Sequence, residues 1–323
     1  MSKTKVIYKC NSCGHTSSKW TGKCVECGEW NTISEQIIST QKKENLFNFK
    51  VNPPKSLNEI STSTTKRIQI SDKEFNRVIG GGLVKGSVIL IGGEPGIGKS
   101  TLTLKIALSL KETILYVAGE ESSEQIKMRS NRLNISNENC FIYNETLVSS
   151  ILKSSDKINP TLIIIDSIQT LYVDSIDAAP GSISQIRHST EQLIRYSKNK
   201  SIPIIIIGHI TKDGSIAGPK ILEHMVDTVL QFEGDKNHIY RIIRSIKNRF
   251  GSTNELGIYE MDNKGIHEVT SPSKMLISTN QEKLSGIALG CSMEGNRPIM
   301  IEAQALTSPA TYGNPQRSSN GLD

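Results

Sequence analysis

One stretch constrains the chain more than any other: Gly93-Glu-Pro-Gly-Ile-Gly-Lys99-Ser100, preceded by Val88-Ile-Leu-Ile and followed by Leu102-Thr-Leu-Lys-Ile-Ala-Leu-Ser-Leu110. It matches G-x-x-x-x-G-K-[ST] in the context that gives the pattern meaning, between a buried strand and a helix. Glycines let backbone amides point inward at a β-phosphate, and the helix behind them adds its positive N-terminal dipole. Lys99 is then expected to reach the β and γ oxygens, and the Ser100 hydroxyl to ligate Mg²⁺. Gly93, Glu94, Pro95, Gly96, Ile97, Gly98, Lys99, Ser100 and Thr101 are the candidate ATP cradle.

Three apolar runs follow at βα spacing, Thr113 to Ala118, Thr161 to Ile165 and Ile202 to Ile207, with polar, periodic segments between them, best seen from Ile183 to Tyr196. Short strands alternating with helices imply a parallel sheet covered on both faces. Leu162-Ile-Ile-Ile-Asp166 ends a buried strand in an aspartate, which suits a Mg²⁺ water shell beside a P-loop; capping of the next turn is the plainer alternative. Gly119-Glu120-Glu121 ends another strand, and Glu120 is the candidate general base for an attacking water. His209 ends the fourth, either near the γ-phosphate or as a satisfied structural histidine. Loops Tyr172 to Ser184 and Thr211 to Pro219, with Lys212 and Lys220, leave the strand ends where α/β sheets build binding sites. Asp227 to Glu233 and His238 to Ile246 read as antiparallel strands. They lead into Lys247-Asn-Arg249-Phe-Gly251, which is either a phosphate clamp acting in trans on a neighbouring subunit or an exposed basic turn.

The N-terminus has a different character. Cys10-x-x-Cys13-Gly and Cys24-x-x-Cys27-Gly are separated by ten residues, and two such turns make a closed site of four thiolates, the pattern of structural zinc. Disulfides are the alternative, disfavoured in a reducing setting. With few apolar residues, this segment is expected to fold only around its metal. Trp20 and Trp30, the only tryptophans, flank the second turn beside Lys19 and Lys23, either stacking on nucleic-acid bases or packing on the metal site. Cys140 and Cys291 read as core. Ser34 to Thr65 is polar and holds Pro53-Pro54, a linker.

Net charge is +6, and residues 1–70 carry eleven Lys or Arg against five Asp or Glu, whereas residues 71–323 hold 27 of each. A basic module on a neutral body suggests a polyanionic partner. No apolar run reaches the ~18–20 residues of a membrane span, and no secretory h-region opens the chain, so a cytoplasmic location is expected.

Taken in order, these motifs resemble the bacterial RadA (Sms) family of RecA-like ATPases. The resemblance runs through the paired cysteine turns, Gly80-Gly-Gly-Leu, the P-loop, the GEES at Gly119, LIIIDSIQT, GHITKDG, AGPKILEHMVD and KNRFG at Lys247. It implies an α/β fold: a RecA-like P-loop ATPase core with an N-terminal four-cysteine zinc ribbon. The start of a Lon-protease-like C-terminal domain would follow, truncated at Asp323. The corresponding divisions are 1–33 (ribbon), 34–65 (linker), 66–272 (ATPase) and 273–323 (partial C-terminal domain), the last expected to be poorly ordered.

The resemblance further implies a DNA-dependent ATPase and translocase, a hexameric ring acting on single-stranded or branched DNA in recombinational repair, with RecA as a further candidate partner. Carried over residue by residue, Lys99, Ser100 and Asp166 serve ATP and Mg²⁺, and Glu120 is the base. Lys247 and Arg249 act at the subunit interface, and Cys10, Cys13, Cys24 and Cys27 hold zinc. Two other classes stay open: an ATP-gated DNA-binding switch that never translocates, and an ATP-dependent serine protease whose dyad would lie beyond Asp323.

Overall fold

The computed structural model describes residues 4–10, 12, 15–39, 54, 56, 67–209, 221–234, 239–277, 285–309, 313 and 317–321. The chain divides into two compact units, 1–52 and 53–323.

In the first unit, β1 (Thr4–Cys10) pairs antiparallel with β2 (Thr16–Ser17) on one side and β3 (Ile33–Ser39) on the other. The register Cys10↔Ile33 to Thr4↔Ser39 carries β3 six residues past Ile33, into the segment read above as linker.

The second unit is a nine-stranded sheet with helices on both faces. Its elements are α1 (Lys73–Val78), β4 (Val88–Gly93), α2 (Lys99–Ser109), β5 (Ile114–Ala118), α3 (Ser123–Leu133), β6 (Cys140–Tyr143), α4 (Val148–Ile158) and β7 (Leu162–Asp166). There follow α5 (Ile183–Lys200), β8 (Ile204–His209), α6 (Ile221–Met225), β9 (Thr228–Glu233), β10 (Tyr240–Asn248), β11 (Leu256–Asp262) and β12 (Gly265–Glu268). The spatial order is β12-β11-β10-β9-β4-β8-β7-β5-β6. From β9 to β6 neighbours run parallel, and from β9 to β12 they alternate.

Both faces of the parallel part are buried, as its unbroken apolar strands require. Ile89, Ile91, Ile114 and Tyr116 pack with Leu102, Leu104 and Ile106 of α2, while the alternate residues Leu90, Leu115 and Ile163 are equally buried on the opposite face. Helices begin where capping residues stand: Asp72 accepts from Phe75 N, and Ser122 forms a capping box with Gln125.

β13 (Ile287–Glu294) and β14 (Arg297–Gln304) form a two-stranded hairpin. Ile299 fills a small core with Leu256 and Ile258 of β11, so the hairpin borrows the apolar surface it lacks. Of the two cysteines expected to be core, Cys140 is partly buried and packs against the main core, its thiol pushed up to about 11 by burial, whereas Cys291 is exposed on β13.

Candidate functional site

Strand register brings the chemistry to one sheet edge. Gly93 pairs with His209 across β4 and β8, and Ala118 with Asp166 across β5 and β7, so the P-loop, Glu120, Asp166 and His209 all emerge at the carboxyl ends of neighbouring strands. The loop needs glycine where it turns: Gly98, the residue before α2, has φ +116°, open to glycine at little cost. Gly119 is fixed differently, because a Cβ there would lie 1.9 Å from Thr170 Oγ1.

Lys99 is 4% exposed, and its ammonium donates to Gly93 O at 2.7 Å and Glu94 O at 2.8 Å. Burial lowers its pKa to about 8, against the opposing pull of Asp166, Glu120 and Glu94. Asp166 is raised above the usual carboxylate range, chiefly by burial, although Tyr116 donates to its Oδ2 at 2.6 Å and the Ser100 hydroxyl bonds it as well. Tyr116 is itself held far above the ordinary phenol range, by burial and by the Asp166 charge. A cation, a hydroxyl and a carboxylate thus converge at the start of α2. This donor set fits a magnesium-bound nucleotide phosphate: Lys99 and the loop amides for the phosphates, Ser100 and Asp166 for the metal.

The two adjacent glutamates separate cleanly. Glu120 Oε1 accepts from Ser167 Oγ at 2.5 Å and lies 3.4 Å from His209 Nε2. Glu121 instead pairs with Arg129 of α3. Among the described residues, His209 Nδ1 is buried with no hydrogen-bond partner.

Lys247 and Arg249 do not join this cluster. Asn248 pairs with Thr228 and Thr228 with Ile89, so the KNRFG segment lies at the amino-terminal edge of the sheet. Phe232, the partner of Gly93, lies four residue steps along β9 from Thr228, about 13 Å at ~3.3 Å per residue. Lys247 Nζ caps the end of α6, donating to the carbonyls of Glu223 at 2.7 Å, His224 at 3.2 Å and Val226 at 2.8 Å. Arg249 pairs with Asp227 at 3.2 Å. The loop from Tyr172 leaves the carboxyl edge and is stapled by Gln185, which bonds the backbone of Val173, Ile176 and Ala178. The loop from Thr211 to Pro219, with Lys212 and Lys220, lies outside the described residues.

In the ribbon, the sulfurs of Cys10, Cys24 and Cys27 lie within 4.8 Å of one another, and Cys10 Sγ is 3.7 Å from Cys27 Sγ. Thiolates ~2.3 Å from a tetrahedral zinc stand ~3.8 Å apart, so the cluster fits that ion; Cys13 lies outside the described residues. Trp20 and Trp30 are exposed rather than packed away, at 62% and 69%.

Over the whole of its length the chain is 48% identical to the DNA repair protein RadA of Bacillus subtilis, 46% to that of Listeria monocytogenes and 45% to that of Halalkalibacterium halodurans, spanning 72% of each. The chain belongs to the RadA family of DNA repair proteins. Residues 8–35 match a rubredoxin metal-binding domain, and residues 68–141 match the KaiC ATPase family. The fold is also that of a KaiC-like protein of Pyrococcus horikoshii in its crystal structure, with a TM-score of 0.53 at 19% identity, over 64% of this chain and 99% of that one. No helix among the described residues is long and apolar enough to cross a membrane.

Three side chains at this RadA site escape motif reading. Tyr116 holds Asp166, Ser167 holds Glu120, and Arg241, from β10, donates to Ile97 O at 3.2 Å and braces the P-loop. Strand alternation offered a signal for the first, since Tyr116 and Ala118 share a face. Arg241 lies 144 residues from Ile97 and carries no signal at all.

Proposed function

We propose that this RadA-family chain is a DNA-dependent ATPase that works as a ring-shaped, hexameric motor on single-stranded or branched DNA, promoting branch migration and the processing of recombination intermediates. The observation that carries this reading is the separation of Lys247 and Arg249 from the P-loop of their own chain. Side chains some 13 Å away along the sheet cannot reach that nucleotide, whereas a neighbour packed edge to edge presents them to it.

In this mechanism Lys99 neutralises the β and γ oxygens, and the P-loop amides add to it from the N-terminus of α2. Ser100 and Asp166 would hold a magnesium ion, which when bound would supply electrostatic stabilisation of charge on the transferred phosphoryl. Glu120, oriented by Ser167, takes the proton of the attacking water. His209 touches that carboxylate and leads directly into the Thr211 loop, so it relays the state of the site towards DNA. Lys247 exchanges the carbonyls at the end of α6 for the neighbour's γ-phosphate, and Arg249 accompanies it.

Mixing tests the assembly. Lys247→Ala and Glu120→Gln are each expected to bind ATP and fail to hydrolyse it. Combined before nucleotide is added, they form rings in which some interfaces pair an intact Glu120 with an intact Lys247, and part of the activity returns. A Lys247→Ala chain that merely loses the α6 cap cannot be rescued in this way. Absence of recovery at every ratio, together with turnover independent of protein concentration, would overturn the trans assignment. Strand-displacement and branch-migration assays then separate a motor from a switch.

A further inference from the structure

Trp20 and Trp30 both border Gly22: a methyl group placed there would stand 3.8 Å from both Trp20 Cη2 and Trp30 Cζ3. Neither indole is covered, since more than half of each residue is open to solvent. Lys23 bridges backbone to backbone with Trp30 and sets its ammonium 5.7 Å from that ring's centroid. Lys19 immediately precedes Trp20. The platform is held from beneath by short backbone bonds, Asn31 N to Gly22 O at 3.0 Å and Cys24 N to Glu29 O at 2.9 Å, and by the cysteine cluster. Two large apolar rings left this open to water contribute little to a core.

We propose that Trp20 and Trp30, with Lys19 and Lys23, form a base-stacking platform for single-stranded DNA. Unpaired bases offer free π-faces, which a duplex hides within its stack, and aromatic side chains bind them without regard to sequence. Charge favours a nucleic acid over a protein partner: residues 1–33 carry five lysines against two glutamates, and Glu26 lies 3.8 Å from His15. The lysines take the phosphates on either side of a stacked base, and Lys23 adds its cation to the face of Trp30. This inference rests on the proposed DNA-dependent activity and names the surface that grips the strand.

The two tryptophans are the only ones among these 323 residues, so intrinsic tryptophan fluorescence of this chain reports the platform directly. Titration with oligo(dT) is expected to quench that fluorescence, and the same oligomer in duplex form to quench it little. Trp30→Ala should weaken oligo(dT) binding about 5- to 150-fold, the range of one lost stack, with the salt slope unchanged and Trp30→Tyr restoring most of the affinity. Lys23→Ala should instead lower the log–log salt slope by about 0.7. Zinc content measured on each variant guards against a ribbon that has lost its fold, and the exposed indoles should leave it unaltered.

Oligo(dT) that stimulates ATP hydrolysis without quenching tryptophan would overturn the platform while leaving the DNA motor standing. Failure of oligo(dT) to bind at all would remove both. Full DNA affinity in Trp20→Ala/Trp30→Ala would give the surface to a protein partner, with Val25, 75% exposed, as part of its contact.

Discussion

Arg297 Nη1 donates to Glu74 Oε2 at 2.6 Å, joining residues 223 positions apart whose side chains are 9% and 3% exposed. The same carboxylate oxygen accepts from Ile258 N at 2.9 Å, so one buried charge ties α1, β11 and the C-terminal hairpin together. Removing one partner of such a pair leaves the other buried and uncompensated, at a cost of ~3–5 kcal/mol. Arg297→Met is therefore expected to lose about that much stability in urea unfolding. Leu289→Ser, on the exposed side of the hairpin, should stay within ~0.5 kcal/mol of the parent. Equal effects would show that the ion pair does not hold the hairpin.

Glu120 and Glu121 are neighbours in sequence with different partners, and their substitutions should differ accordingly. Glu120→Gln is expected to keep ATP affinity and lose ~10²–10⁴ in single-turnover hydrolysis, the usual contribution of a general base. Glu121→Gln weakens the pair with Arg129 of α3, so its main effect should be on stability rather than chemistry. Should Glu121→Gln prove the more damaging to hydrolysis, the base has been assigned to the wrong carboxylate.

What could be read from the sequence was whatever a short motif fixes by itself. Asp166 and Glu120 stand at the ends of strands marked by apolar runs, and Lys99 follows such a strand through the P-loop; a parallel sheet lines those ends up whatever its strand order. The position of Lys247 needed more, because only the pairings β10 with β9 and β9 with β4 send KNRFG to the opposite edge. Glu74 carried no sequence signal, since its partner arrives more than two hundred residues later. The packing of the C-terminal segment escaped for the same reason: Ile299 finds its core on β11, not within its own segment. The tryptophans defied a reasonable prior, that large aromatics near a small metal site pack onto it.

Burial holds the Lys99 pKa near 8, below the ordinary 10.5. The unfolded chain therefore binds more protons than the folded one between those two values, and stability gained from this residue rises with pH across that window. Below pH 8 both states are protonated and the contribution is flat. The difference in melting temperature between the native chain and Lys99→Met, measured without nucleotide, should shift in favour of the native chain from pH 8 to 10.5, since titrations common to both cancel. Lys99→Met should also fail to bind ATP at any pH. A difference that does not change with pH would mean that the lysine is not desolvated in solution.

Removal of the ribbon's metal should be felt in one unit alone. In so small a module the free energy of metal binding is largely that of folding, so chelation, or Cys24→Ser at a buried ligand, is expected to abolish the near-ultraviolet dichroism of Trp20 and Trp30. The unit from 53 to 323 has its own extensive core, and its urea midpoint and basal ATP hydrolysis should stay unchanged. A coupled loss of core stability would show that the ribbon is a structural part of the ATPase.

The hydrogen bond from Tyr116 to Asp166 gives the most specific pH test. Burial already lifts the aspartate above the carboxylate range, and Tyr116 heads the influences that bring it down. Tyr116→Phe removes a hydrogen bond that stabilises the charged carboxylate, so the Asp166 pKa should climb further. In the proposed role, Asp166 holds magnesium only when ionised. The acid limb of kcat/KM should therefore move to higher pH, while activity at pH 9 stays close to the parent's. Because protons and magnesium compete for the carboxylate, excess Mg²⁺ should draw the limb back toward its original position. A loss of activity uniform across pH would instead mark Tyr116 as a packing residue, and an acid limb that stays in place would show that protonation of Asp166 does not limit the reaction.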